Sequence, residues 1–149
     1  MNSASKYKIL RHNARQYALQ AIYQWQLSGT PIQEIEEQFI KYHVTKKVDL
    51  EYFKEVILGV AKTHHELDNT FSPFLSRPVD EVDPILLALL RIATYELAKR
   101  LDVPYRVIIN EGLELAKKFG TLDGYKFINS VLDRVARQLR AHEISPEIK

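Results

Sequence analysis

Residues 84–100 read PILLALLRIATYELAKR, and this stretch decides the fold. From Ile85 to Leu97, apolar side chains occupy nearly every face of a helix drawn at about 100° per residue, which predicts a helix surrounded by others. The preceding Asp83 and the proline after it form a typical helix start, because the carboxylate accepts hydrogen bonds from N–H groups that lack helical partners. We therefore expect a central buried helix within a helical bundle.

Helical periodicity continues on both sides of this central segment. The predicted helices are a first from about Leu10 to Leu27, a second opened by Pro31, a third after Asp49, a fourth opened by Pro84, a fifth from Pro104 to Gly120 and a sixth from about Gly124 to Arg140. Thr30 is expected to cap the second helix, with Gln33 completing a capping box. The stretch from Asn69 to Pro78 is expected to be broken, because proline disfavours a helical residue before it.

Strand signals are nearly absent, since the β-branched residues 107–109 lie inside the fifth predicted helix. This pattern predicts an all-α fold, a single-domain bundle of six or seven helices. The domain is expected to span residues 1–149, with residues 1–9 as a flexible basic arm and residues 142–149 as a flexible tail. A chain of 149 residues with 46% hydrophobic residues is long enough to bury a core without cross-links.

Cysteine is absent from the sequence, which excludes a disulfide scaffold, cysteine-based zinc sites, iron–sulfur clusters and a thiol nucleophile. The opening residues MNSASKYKILRHNARQ contain no apolar segment typical of a signal peptide. The longest unbroken apolar run, residues 85–90, is far too short to cross a membrane. We expect a soluble cytoplasmic protein without a membrane role.

Charge is distributed unevenly along the chain, although the formal net charge is only +2. Residues 1–33 contain four basic residues and no acid, residues 34–83 have a net charge of −5, and residues 84–149 have a net charge of +3. A basic start and an acidic middle suggest two different partners. A chance distribution of charge over a solvated surface is the alternative at this point.

The basic residues near the start have the spacing of one helix face. Lys8, Arg11 and Arg15 lie three and four positions apart, so they fall within about 60° of one another. Their stems are expected to pack while their charges stay solvated. Single-stranded RNA binding requires such a cationic track together with flat rings, and Tyr7 and Tyr23 lie in the same segment. The spacing alone leaves open an ordinary solvated face.

An acidic turn precedes the central helix. Asp83 is expected to cap that helix, but Asp80 and Glu81 are not needed for capping. Two carboxylates in this position suit a basic partner protein, and a solvated acidic turn is the alternative.

Metal and catalytic constellations are weak in this sequence. His64, His65 and Asp68 are the nearest to a metal-ligand cluster, but no second histidine pair supplies the remaining ligands. Glu111 and Glu114 have the spacing of a helix face, yet nothing converges on them as a nucleophile or oxyanion donor would. We therefore predict no catalytic residues, no metal site and no cofactor.

Four blocks of the sequence occur in an order that is specific to one known family. The blocks are RHNARQYALQAIY at residues 11–23, LRIATYEL at 90–97, VP followed by VIINEGLELAK and FG within 103–120, and FINSVLD at 127–133. They resemble the NusB family of transcription antitermination factors, whose opening pattern is R-x-x-A-R-x-x-A-L-Q-x-L-Y. The resemblance extends from about Arg11 to Ala136, which is nearly the whole chain.

The resemblance implies an all-α protein that is not an enzyme and binds the boxA element of nascent ribosomal RNA leaders as single-stranded RNA. It further implies a heterodimer with NusE, a small-subunit ribosomal protein, and action on the RNA polymerase elongation complex with other Nus factors. The residues expected to bind RNA are Lys8, Arg11, His12, Arg15, Tyr23, Lys118, Lys126 and Phe127. Those expected to bind the protein partner are Asp80 and Glu81.

The charge available for RNA binding is small. Neutralising three or four phosphates of single-stranded RNA gives a log–log salt slope of roughly −2 to −3, which is a weak electrostatic anchor. We therefore expect selectivity and useful affinity to come from base contacts and from cooperation with NusE. The alternative is a helical protein-interaction module without RNA binding, related to the NusB-like domain of RNA methyltransferases.

Overall fold

The computed structural model describes residues 3–45 and 47–145, and the side chains from residue 6 onward within those ranges. Residues 1, 2 and 146–149, which belong to the predicted flexible arm and tail, lie outside the described residues. Residues 3–9 of the predicted arm are helical, so the first helix begins well before the expected start at about Leu10. The flexibility of both ends stays a prediction.

Seven α-helices account for most of the described residues. They are α1 (Ser3–Ser28), α2 (Ile32–Gln38), α3 (Leu50–Phe71), α4 (Pro84–Lys99), α5 (Tyr105–Phe119), α6 (Leu122–Leu139) and α7 (Ala141–Ile144). A π-helical turn, Phe39–His43, continues α2, and two 3₁₀ turns, Ser72–Phe74 and Val79–Glu81, lie between α3 and α4. No strand occurs within the described ranges. The predicted all-α fold with six or seven helices is confirmed.

The chain divides into two compact units, Met1–Lys62 and Thr63–Lys149. The division falls inside α3, at Thr63, whose φ of −116° and ψ of 16° are not helical. Each unit is described separately below, and the single-domain organisation stays a prediction. No helix in the described part of the chain is long and apolar enough to span a membrane.

In the first unit, the segment that leads into α3 is tied to α1 by hydrogen bonds. Asp49 N–H donates to the main-chain oxygen of Leu10 at 3.1 Å, and the Asp49 carboxylate accepts from Tyr52 N–H at 3.0 Å. Asp49 therefore joins the two helices and caps the first turn of α3. As a result, Tyr52 is held in that first turn and is 2% exposed.

In the second unit, α4 packs against α5 and α6, and every residue from Ala88 to Leu97 is buried. The expected cap is present, because Asp83 Oδ1 accepts hydrogen bonds from Ile85 N–H at 2.9 Å and Leu86 N–H at 3.3 Å. The prediction of a buried central helix is therefore confirmed.

Arg140 ties the end of α4 to the start of α5. Its buried guanidinium donates to the main-chain oxygens of Leu97 at 2.8 Å and Val103 at 3.0 Å, and pairs with Glu143 at 2.6 Å. The other oxygen of Glu143 accepts from Tyr105 N–H at 2.8 Å. The Arg140 cation thus binds carbonyl groups at the C-terminus of α4, and the Glu143 anion binds an N–H group at the N-terminus of α5. Both arrangements are favoured by the helix dipoles.

The predicted cap of the second helix is wrong. Pro31 occupies the N-cap position with an extended ψ of 138°, and no side-chain hydrogen bond caps the helix. The Pro31 main-chain oxygen accepts from Glu34 and Ile35, so α2 begins one residue later than the capping-box pattern indicates. The Thr30 N–H instead donates to the Ser28 hydroxyl at 3.1 Å, which places Thr30 in the turn after α1.

The predicted break between the third and fourth helices is confirmed from Ser72 onward, although α3 continues through Asn69 to Phe71. The fifth helix also agrees with prediction at both ends. Pro104 is the N-cap of α5 and Gly120 is its C-cap. The sixth helix begins at Leu122, two residues early, because the Thr121 hydroxyl accepts from Gly124 N–H at 3.0 Å.

Candidate RNA-binding and partner surfaces

Five of the predicted RNA-binding residues lie on one face of α1. Lys8, Arg11, His12, Arg15 and Tyr23 fall within an arc of about 120° on the helix. Their exposure differs, however. Lys8 is exposed, Arg11, His12 and Tyr23 are half-buried, and Arg15 is buried.

Arg11 is held between two tyrosine rings. Its guanidinium carbon lies 4.5 Å from the centre of the Tyr7 ring and 4.4 Å from the centre of the Tyr52 ring. Its Nε lies 3.5 Å from the Asp49 carboxylate. Both kinds of contact compensate part of the positive charge of Arg11, whose side chain is half-buried.

Arg15 lies deeper than Arg11, against the same ring of α3. Its side chain is 4% exposed, its guanidinium carbon is 5.3 Å from the Tyr52 ring centre, and its Nη2 donates to the Tyr52 hydroxyl at 3.5 Å. The expectation that the basic charges stay solvated is therefore wrong for Arg15, while the Arg11 side chain is 17% exposed. The physical reason is that Asp49 fixes the first turn of α3 against α1, which places Tyr52 over both guanidinium groups.

The exposed groups near the start of α1 are therefore different from the arginines. Lys6 and Lys8 are exposed, and the Tyr7 ring, which is stacked on Arg11, is 50% exposed. The sequence contained a signal for Tyr7, because Tyr7 and Arg11 are four residues apart and so share a helix face. It contained none for Tyr52, which reaches α1 only through the tertiary fold.

The remaining predicted RNA-binding residues lie where α5 ends and α6 begins. Lys118 and Lys126 are exposed, and Phe127 is half-buried. The Nζ atom of Lys118 lies 5.7 Å from the centre of the Phe119 ring. Next to it, Lys117 Nζ lies 5.1 Å from the Tyr125 ring. The junction thus combines cations with aromatic rings, the combination that favours single-stranded nucleic acid.

The structure places Phe127 close to the acidic turn that precedes α4. Phe127 lines a cavity of about 240 Å³ whose other walls include Arg77, Val82 and Asp83. The two partner-binding candidates, Asp80 and Glu81, immediately precede Val82 and Asp83 and are exposed in the 3₁₀ turn. Sequence alone did not show this proximity, because the acidic turn and Phe127 are more than 40 residues apart.

The histidine pair forms no metal-ligand cluster in the described part of the chain. The rings of His64 and His65 stack with centroids 4.0 Å apart. Asp68 accepts two hydrogen bonds from Arg91, from Nε at 2.9 Å and from Nη2 at 2.7 Å. Among the described residues, no group of three or more potential ligands is positioned to hold a metal ion.

Comparison with known proteins gives one consistent result. The profile of the NusB family matches residues 12–137. The transcription antitermination protein NusB of Marinobacter nauticus is 48% identical over 136 residues, covering 91% of this chain and 86% of that protein. NusB of Aeromonas salmonicida is 54% identical over 129 residues, covering 87% of this chain and 94% of that protein.

Solved structures show the same fold. The T. maritima NusB structure superposes with a TM-score of 0.76 at 29% identity, covering 86% of this chain and 91% of that one. A chain from the crystal structure of antitermination factors NusB and NusE in complex with dsRNA gives a TM-score of 0.75 at 24% identity, covering 85% and 96%. The family is not enzymatic, which agrees with the prediction from sequence. The chain therefore belongs to the NusB family of transcription antitermination proteins.

Proposed function

We propose that this protein binds boxA-type single-stranded RNA in nascent ribosomal RNA transcripts together with NusE. It then acts on the RNA polymerase elongation complex with other Nus factors. Membership of the NusB family supports this role, as does the solved structure that contains NusB and NusE in complex with dsRNA. The protein would act in the cytoplasm, where bacterial transcripts are made.

The observation that carries the RNA-binding part of the proposal is the exposed face at the start of α1. Lys8 is exposed there next to the Tyr7 ring, which is half-exposed and backed by the Arg11 guanidinium. A lysine neutralises backbone phosphates, and a flat ring stacks on an unpaired base. Because the Tyr7 ring is already held against Arg11 on one side, little side-chain entropy is lost when a base stacks on its other side.

The α1 residues would have different roles in this proposal. Lys8 would contact phosphate, while His12 and Tyr23, both half-buried on the same face, would contact bases. Arg11 and Arg15 would act as positioning residues that hold the tyrosine rings. In the second unit, Lys118, Lys126 and Phe127 at the α5–α6 junction would make RNA contacts of their own.

The acidic turn would bind NusE. Asp80 and Glu81 are exposed, so a basic ribosomal protein can approach both carboxylates. Complementary surface charge mainly increases the association rate and selects the partner. Because Phe127 lies close to this turn, NusE and RNA would bind near one another, which gives a physical basis for cooperative binding.

A fluorescence anisotropy titration tests this proposal. It uses three labelled RNAs at fixed salt, a boxA-type single strand, a scrambled single strand and a boxA duplex, each with and without NusE. We expect the boxA single strand to bind most tightly and to bind more tightly when NusE is present. Equal weak binding to all three RNAs, unchanged by NusE, would instead favour a protein-interaction module without RNA binding.

A further inference from the structure

The segment from Thr45 to Asp49, between α2 and α3, runs antiparallel to α1 along the side of that helix that carries Leu10, Asn13 and Tyr17. Thr45 N–H donates to the Tyr17 hydroxyl at 3.3 Å. Two residues later, the Lys47 main-chain oxygen accepts from Asn13 Nδ2 at 2.8 Å. The segment ends at Asp49, whose N–H donates to the Leu10 main-chain oxygen at 3.1 Å. Three successive contacts therefore fix this segment on the helix.

The segment on this side of α1 carries its own cations. Lys6 lies four residues before Leu10 and seven before Asn13, so it is on the same side of α1. Lys41 and Lys47 are both exposed. Asp49, the one carboxylate in the sequence of this segment, is paired with Arg11 at 3.5 Å.

An exposed ring accompanies these lysines. Tyr42 follows Lys41 in the π-helical turn and is 67% exposed, which is unusual for a large aromatic side chain. The Nζ atom of Lys41 lies 5.2 Å from the centre of the Tyr42 ring. We refer to Lys41, Tyr42 and Lys47 as the loop surface.

We propose that the loop surface is an RNA-binding site in its own right. Lys41 and Lys47 contact backbone phosphates, and Tyr42 stacks on an unpaired base. The surface lacks the buried apolar centre that a protein interface requires, whereas lysines beside an exposed ring are suited to single-stranded RNA. This inference rests on the proposed function, and it assigns RNA contacts to a chain segment that packs on a different side of α1 from Lys8, Arg11 and Arg15.

The test measures RNA affinity and its salt dependence for Lys41→Gln, Lys47→Gln and the double variant. Each lost phosphate contact on a single strand lowers the magnitude of the log–log salt slope by about 0.7. At about 0.1 M salt this corresponds to about fivefold weaker binding for each single variant and about 25-fold for the double variant. Tyr42→Ala should weaken binding by at least about fivefold, while Tyr42→Phe should keep the wild-type affinity.

Lys62→Gln is the matched control, because it removes one exposed lysine from the same unit. Lys62 lies about 20 Å along α3 from Asp49, beyond the screening length of about 10 Å at 0.1 M salt. Circular dichroism and thermal melting confirm that each variant is folded. We expect Lys62→Gln to bind RNA within twofold of wild type.

Failure of the inference and failure of the proposed function give different results. If the wild-type protein does not bind boxA-type RNA selectively, the proposed function is wrong. If it does, but the double variant has the affinity and salt slope of the Lys62→Gln control, the loop surface is not an RNA-binding site. Weaker binding of NusE with unchanged binding of RNA alone would also overturn the inference, since the surface would then serve a protein partner.

Discussion

Arg15 donates a hydrogen bond to the hydroxyl of Tyr52, with Nη2 and the oxygen 3.5 Å apart, across 37 residues of sequence. The pair is buried, since Arg15 is 4% and Tyr52 is 2% exposed. The family pattern places Arg15 in the RNA-binding segment, but this geometry makes it a support for the surface. Loss of RNA binding in an Arg15 variant would therefore reflect a displaced surface more than a lost phosphate contact.

Replacing this buried arginine should affect stability strongly. We expect Arg15→Ala to lower the free energy of unfolding by about 2–3 kcal/mol, because it removes buried stem packing and a hydrogen bond. The exposed Lys8→Ala variant should stay within about 0.5 kcal/mol of wild type. Urea unfolding followed by circular dichroism measures both values. Equal stability of the two variants would contradict the structural role of Arg15.

The opposite pattern is expected for the exposed lysine of α1. Lys8→Gln should weaken binding to boxA and scrambled RNA alike, by about fivefold at about 0.1 M salt, because a phosphate contact carries no sequence information. Salt titrations by anisotropy should show a slope smaller in magnitude by about 0.7. Unchanged affinity and slope would mean that Lys8 does not contact RNA.

The acidic turn predicts an effect on the protein partner. Asp80→Asn/Glu81→Gln should weaken NusE binding by about three- to tenfold, chiefly through slower association, because two exposed carboxylates are lost. Glu34→Gln/Glu37→Gln removes the same charge from exposed positions of α2 and is the matched control. Surface plasmon resonance separates the two rate constants. The same loss in both double variants would indicate a general charge effect with no role for the turn.

Glu143 predicts a specific pH dependence of stability. Burial opposes its ionisation, but the hydrogen bond from Tyr105 N–H and the ion pair with Arg140 outweigh burial and hold the pKa of this carboxyl below its ordinary value of 4.5. A carboxyl with a lowered pKa stabilises the folded state above that ordinary value, and the contribution is lost as pH falls through the folded-state pKa. Glu143→Gln should therefore lose less stability than wild type on acidification below about pH 4.5. Thermal melting across that range is the measurement, and parallel curves for the two proteins would contradict the prediction.

The fold was predictable wherever a local signal agreed with the tertiary structure. The apolar run after Asp83 gave both the position and the burial of α4, because the capping carboxylate and the hydrophobic pattern indicate the same helix. At Thr30 the capping-box pattern predicted an N-cap, but the structure has a turn there. Ser28 accepts the Thr30 N–H, and Pro31 takes the N-cap position. Such turns depend on how the chain leaves the preceding helix, which a capping-box pattern does not contain.

The candidate site was predictable in part. Spacing correctly placed Lys8, Arg11 and Arg15 on one face of α1, because helical periodicity alone determines that relationship. Which of the three is exposed depends on Tyr52, which arrives from a different helix. The proximity of Phe127 to the acidic turn likewise arises from packing of distant segments.

The most direct test of the account is a reconstituted transcription assay that measures read-through of a terminator. It compares templates with boxA and with scrambled boxA, using RNA polymerase, NusE and the other Nus factors, with and without this protein. We predict that the protein raises read-through only on the boxA template and only when NusE is present. Equal read-through on both templates, or none that depends on the protein, would contradict the claim that it acts in antitermination through boxA RNA.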